Sequence, residues 1–305
     1  MNIELMVTVI GAATPLLLAA LGELVTEKSG VLNLGVEGMM IVGAITGFAA
    51  TLTTGSATLG IAAAAIAGIL MALVFGFLTL TLLANQVATG LALTIFGLGL
   101  SSLMGAGFVG MPVPRLPILP VPVLSELPVI GPLLFRHDAL VYFSVIATFG
   151  IGWFLWRTRA GMILRAVGEN DSSAHSIGYD VIRVRYMAVM FGGAMAGLAG
   201  AFLSLAVTPM WVEGMTAGRG WIALALVVFA SWRPWRVLAG AYLFGGMSIL
   251  QLYAQGSGGI DIPSQVFTML PYIATILVLT IISAGPWRGR LDAPACLGKS
   301  FRAAG

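Results

Sequence analysis

The sequence predicts an all-α protein, a polytopic transmembrane helical bundle of about nine spans. Composition, the spacing of long apolar stretches and the glycine content all point this way. Of 305 residues, 59% are hydrophobic and only 9% are charged, against roughly 25% charged in a soluble domain. A soluble fold of this size needs far more polar surface to cover its core. A mean hydropathy of +1.01 therefore means that most of the outer surface faces lipid. The 40 glycines suit membrane helices, whose backbones approach closely at small residues.

Windows of about 20 apolar residues place the spans near 5–22, 35–54, 57–84, 86–108, 138–157, 186–207, 219–231, 236–253 and 266–284. The third is long and the seventh short, which calls for a broken, tilted or re-entrant helix. The first stretch follows Asn2 and Glu4 instead of a basic region, so it reads as a span and not as a cleaved signal. Residues 1–285 form one transmembrane domain, and 286–305 a polar cytoplasmic tail. The segment 109–137 carries seven prolines, from Pro112 to Pro132, and cannot be a spanning helix because proline removes donors and blocks helix continuation.

Basic loops favour the cytoplasm. The loop 157–185 carries Arg157, Arg159, Arg165, Arg183 and Arg185, the turn 231–236 adds Arg233 and Arg236, and the tail adds Arg288, Arg290, Lys299 and Arg302. Nine spans put all three on one side and place the N-terminus and the proline-rich segment outside. Arg115 and Arg136 in that segment oppose the assignment mildly. The one cysteine, Cys296, excludes a disulfide framework and a cysteine-rich metal site. No catalytic constellation is present, and no cofactor or nucleic-acid partner is expected.

Two segments echo each other. Gly35-Val36-Glu37-Gly38 and Gly218-Arg219-Gly220-Trp221 each open an apolar stretch with a charged residue among glycines. An inverted repeat with broken helices is one reading, and a chance echo in a glycine-rich membrane protein is the other. Residues 22–38 form the most polar part of the first half, yet keep Val31, Leu32, Leu34 and Val36, as backbone lining a cavity does. Glu23, Glu27 and Lys28 read as an ordinary solvated loop. Asn33 and Glu37, spaced to share a helix face, read as functional groups at membrane depth. Around 208–221, Trp211 and Trp221 read as interfacial belt residues, and Arg219 is available to pair with Glu213. In the loop 157–185, a short helix over 162–167 ends at Gly168, taken as a left-handed cap. A second starts at Ser172 with Asn170 or Asp171 as its cap. This pair reads as a docking surface for a soluble partner. Gly193-Ala194-Met195-Ala196-Gly197 is a small-xxx-small match for tight helix packing.

The run Glu27–Met40 resembles the signature of nucleoside and simple-sugar ABC importer permeases, within the branched-chain amino acid and ribose permease family. Leu164-Arg165-Ala166-Val167-Gly168-Glu169-Asn170 resembles the family's ATPase-contacting loop, and Gly218–Ala225 followed by Trp232-Arg233-Pro234 resembles a third block. The blocks come in the expected order, and the resemblance spans most of 5–285. It implies a permease subunit in the cell inner membrane that pairs with a second, related permease into a pore. It further implies a cytoplasmic ABC ATPase, which binds the ATP, and an extracytoplasmic solute-binding protein. On this resemblance Leu164 to Asn170 take up ATPase motion, while Asn33, Glu37, Gly218, Arg219 and Trp221 sit near the translocation path. Where relatives often carry proline after the asparagine, this chain reads Asn170-Asp171. The rival reading is a secondary transporter driven by an ion gradient, which places carboxylates mid-span.

Overall fold

The computed structural model describes residues 3–122, 124–128, 130–256, 269, 273, 276, 280 and 293–302. Among these, six helices are long and apolar enough to cross a membrane. They are α1 (Ile3–Lys28), α2 (Val36–Thr54), α3 (Ala57–Gly76, prolonged by a π-helical turn to Thr81), α4 (Gln86–Gly105), α6 (Ala139–Arg157) and α9 (Val181–Phe202, prolonged to Val207). The short α5 (Ile130–Leu134), α7 (Arg159–Glu169) and α8 (Asp171–Ser176) lie in the connections. The chain continues with the short apolar α10 (Arg219–Phe229) and with α11 (Pro234–Gly256). The expected span at 266–284 lies almost wholly outside the described residues.

At the centre stands α2, packed by α3, α9, α4 and α10, with every residue from Val36 to Ile45 buried. Lipid offers no hydrophobic drive for helices to associate, so close van der Waals packing must hold them. Glycine supplies it. A Cβ on Gly43 would fall 2.5 Å from the Cα of Gly197, and one on Gly68 would overlap the carbonyl of Gly193. The small-xxx-small pair of α9 therefore seats α2 and α3 on its two glycines. The outer faces of α3, α4 and α6 carry exposed Ile66, Leu70, Ile95, Leu103, Ile146 and Trp153, as a lipid-facing surface does.

Two ends of the bundle differ in chemistry. At one, the proline-rich segment folds over α9: the amides of Val113 and Leu116 donate to Pro209 and Leu205 at 3.0 and 3.1 Å. It forms a two-stranded antiparallel ribbon of β1 (Ile118–Pro120) and β2 (Arg136–Asp138), with Leu119 opposite His137. Trp211 is buried here against Gly105, where a Cβ would strike its indole. It is therefore a packing residue and not a belt residue; Trp221 is about half exposed, at 48%. The other end gathers α7, α8, the α10–α11 turn and residues 293–302, together with Arg157, Arg159, Arg165, Arg183, Arg185, Arg233 and Arg236.

Candidate functional site

The seven residues between α1 and α2 interrupt the helical path inside the protein, and their backbone groups need partners there. Nearby side chains supply them. The αL conformation of Gly30, at φ +90°, turns the chain out of α1. The amide of Leu32 donates to Gln86 Oε1 of α4 at 2.8 Å, and that of Asn33 to Glu23 Oε1 at 3.1 Å. Asn33 Oδ1 accepts from the amide of Gly35 at 2.9 Å, and Thr94 Oγ1 donates to the carbonyl of Leu34 at 3.1 Å. On the α4 side the approach needs glycine: a Cβ on Gly90 would lie 2.8 Å from the amide nitrogen of Leu34.

Sequence reasoning misplaced Glu23, Glu27 and Lys28. They form the last turns of α1 and are buried, Glu23 and Glu27 to 1% exposure. The physical reason is long-range. Glu23 accepts from the break, and Glu27 Oε2 accepts from Trp232 Nε1 of the α10–α11 turn at 2.5 Å. Ser231 and Trp232 both adopt positive φ, 50° and 55°, a conformation that costs non-glycine residues energy and persists where neighbours enforce it. Nothing local in the sequence marks this contact.

Glu37 lies in the first turn of α2, and both its oxygens are used. Oε1 accepts from the amide of Gly218 at 2.8 Å and Oε2 from that of Gly220 at 2.6 Å. A carboxylate thus caps the start of α10, where unpaired amides and the helix dipole favour negative charge. The two echoing segments therefore meet, one closing the other's helix. Gly218, at φ +79°, is the residue before α10, and a Cβ on Gly220 would lie 2.6 Å from the Cα of Glu37. Asn33 precedes α2 and does not share a helix face with Glu37; besides its turn onto Gly35, its Nδ2 reaches Met39 Sδ at 3.5 Å. Arg219 does not pair with Glu213. Its Nη1 donates to the carbonyls of Met215 and Thr216 at 2.9 and 3.2 Å, whereas Glu213 Oε1 accepts from Ser102 Oγ at 2.5 Å.

In the arginine-rich loop, α7 is longer than expected and carries Gly168 within it, with no left-handed cap. The glycine is there for space: a Cβ would overlap the carbonyl of Lys28, and its own carbonyl accepts from the amide of Cys296 at 2.9 Å. Asn170 caps α8 as expected, accepting from the amide of Ser173 at 2.9 Å. Arg165 sits 5.8 Å over the ring of Trp156. Leu164 and Val167 are buried, Ala166 lies between them, and Glu169 closes the helix at the protein's edge.

The described residues thus form a polytopic bundle with a broken first helix pair and a helical elbow on an arginine-rich loop. The family model described as the permease component of the branched-chain amino acid transport system matches residues 5–279. The chain belongs to that family, and it is a transport subunit of the inner membrane and not an enzyme. It is 42% identical to a protein named as a glucose ABC transporter permease, TsgC13, of Haloferax volcanii, over 95% of this chain and 94% of that one. It is 33% identical to the guanosine ABC transporter permease NupQ of Bacillus subtilis, over 95% and 93%. With the nucleoside ABC transporter permease NupC of Lactococcus lactis it shares 31% identity over 95% and 93%. A solved metal-chelate type ABC transporter in an inward-facing conformation aligns at a TM-score of 0.49 and 14% identity, over 92% of this chain and 84% of that one.

Proposed function

We propose that the chain forms half of the pore of an ATP-driven importer for nucleosides or related simple sugars. It pairs with a second, related permease, while a cytoplasmic ABC ATPase binds the ATP and an extracytoplasmic binding protein delivers the solute. The observation that carries this reading is the meeting of two helix starts at Glu37, above an exposed helix pair at the arginine-rich end. A joint of this kind moves as a unit when the halves of a permease rock. The names of the relatives, guanosine, nucleoside and glucose, support the substrate class. Selectivity rests mainly on the binding protein, since Asn33 and Glu37 spend their hydrogen bonds inside the chain.

In this reading residues 157–185 are cytoplasmic, and α7 and α8 dock on the ATPase. The apolar side chains of Met162 and Ile177, at 58% and 72% exposure, are available for that contact. The N-terminus and the proline-rich ribbon are outside, and the span count is nine. Gly218, Arg219 and Trp221 border the translocation path, with Glu37 bracing it from behind.

The buried carboxylates Glu23 and Glu27 favour an ion-driven secondary transporter, and one experiment decides between the two. Proteoliposomes holding the chain with its ATPase and binding protein are expected to take up labelled guanosine or glucose only with ATP. Uptake by this chain alone under a proton or sodium gradient refutes the importer.

A further inference from the structure

The residues 293–302 belong to a polar tail by composition, yet Pro294, Cys296 and Phe301 are buried against the protein. The amide of Cys296 donates to the carbonyl of Gly168 in α7 at 2.9 Å, and the amide of Gly298 donates to the carbonyl of Gly30 in the α1–α2 break at 3.1 Å. Phe301 packs into a small apolar cluster with Val167 of α7, Ala174 of α8 and Val181 of α9. Its ring meets His175 edge-on at 5.4 Å. One ten-residue segment therefore touches both helices of the elbow and the break.

Arg185 makes the same connection from within. Its side chain is 1% exposed, and a buried guanidinium is costly unless its donors are met. Nε donates to the carbonyl of Ser29 at 3.2 Å, Nη1 to that of Lys299 at 3.2 Å, and Nη2 to Asp171 Oδ2 of α8 at 3.0 Å. The rigid planar fork suits this three-way task as lysine would not. Gly30 and Gly168 have room only for hydrogen: a Cβ on Gly30 would lie 2.9 Å from Arg185 Nη2.

We infer that residues 293–302 and Arg185 form a clamp that welds the α7–α8 elbow to the α1–α2 break. A displacement of the elbow then reaches Asn33, Glu37 and the start of α10 as one rigid movement. The segment is a positioning element that acts by denying the elbow independent motion. The inference rests on the reading of α7 and α8 as the ATPase-facing pair, and the test separates the two.

The test uses the whole complex in proteoliposomes, with the chain unchanged, ended at residue 292, or carrying Phe301→Ala. Both variants are expected to reach the membrane and hold the ATPase. Uptake falls about tenfold while ATP hydrolysis stays within about twofold, the scale of a coupling between two sites. Should the shortened chain fail to fold, the Phe301→Ala complex still decides, since a lost ring alone leaves the backbone bonds in place. The only cysteine adds a readout on the unchanged protein: Cys296 is expected to resist N-ethylmaleimide both at rest and during turnover, by the mass of this chain. Its rapid modification during turnover means that the clamp undocks in each cycle and overturns the proposal. Unchanged solute carried per ATP in both variants overturns it equally. Ser176→Cys in a Cys296→Ser background, cross-linked through its thiol to the ATPase, tests the underlying reading separately. If that cross-link fails to form, the elbow is not the ATPase contact; if it forms and the variants transport normally, only the clamp is wrong.

Discussion

Removing the Glu37 carboxylate is expected to detach the start of α10 from α2. Two amides, of Gly218 and Gly220, donate to it at 2.8 and 2.6 Å, and Glu37 is only 4% exposed. A hydrogen bond to a charged group contributes about 1.5–3 kcal/mol, and a buried donor left without a partner costs about as much as its desolvation. Glu37→Ala orphans both amides and removes the negative charge from a helix start, so a loss of about 3–5 kcal/mol is expected. Glu37→Gln keeps one acceptor and turns an NH2 towards the second amide, a loss of about 1.5–3 kcal/mol. Glu37→Asp is one methylene too short to span both amides and falls between them. Thermal unfolding of the detergent-solubilised complex ranks the variants, at about 2–4 °C per kcal/mol for chains of 150–250 residues. Uptake is expected to fall in the same order. Glu37→Ala within about 0.5 kcal/mol of the parent, the range of an ordinary surface change, would falsify the joint.

Two further outcomes test the packing and one connection. Gly68→Ala and Gly197→Ala each drive a methyl onto a backbone carbonyl, of Gly193 and Ala64. Overpacking of that kind costs about 1–3 kcal/mol, whereas Gly99→Ala and Gly150→Ala meet nothing within 4 Å and are expected to be neutral in the same melts. Asp138 caps α6 through the amides of Leu140 and Val141 at 3.0 and 3.1 Å. Burial raises its pKa above the ordinary carboxylate value, against the lowering effect of those bonds. A raised folded-state value means that the protonated acid is favoured by folding. Its contribution is full below the ordinary aspartate range and is lost as pH rises through the raised value. Asp138→Asn is expected to flatten that part of the stability profile; an unchanged slope across it would show that the group does not titrate there.

Much of the fold was legible because membrane insertion selects on a local property. Helices at α2, α3, α4, α6 and α9 fall where windows of apolar residues put them, and the proline-rich segment stays out of the bundle for the reason proline dictates. The small-xxx-small match in α9 was legible too, because close backbone approach needs small side chains whatever the partner. The end of α1 was not. Acidic residues at 23 and 27 and a lysine at 28 look solvated until Trp232 and the break are known to cover them. Gly168 looks like a cap because glycine often is one; only the neighbouring Lys28 carbonyl reveals that it is there for space.

By itself the sequence determined that this is a multi-span membrane protein, where most of the described helices lie, and which residues open α2 and α10. These follow from hydropathy, proline and small-residue patterns, all of which act over a few turns of chain. The tertiary structure alone decided what the polar residues do. Glu37 finds its partners 181 and 183 residues away, and Trp232 reaches Glu27 across 205. Inside a bilayer a polar group must be satisfied by whatever the fold brings next to it. That pairing depends on which helices become neighbours, so it cannot be read from any one stretch of sequence.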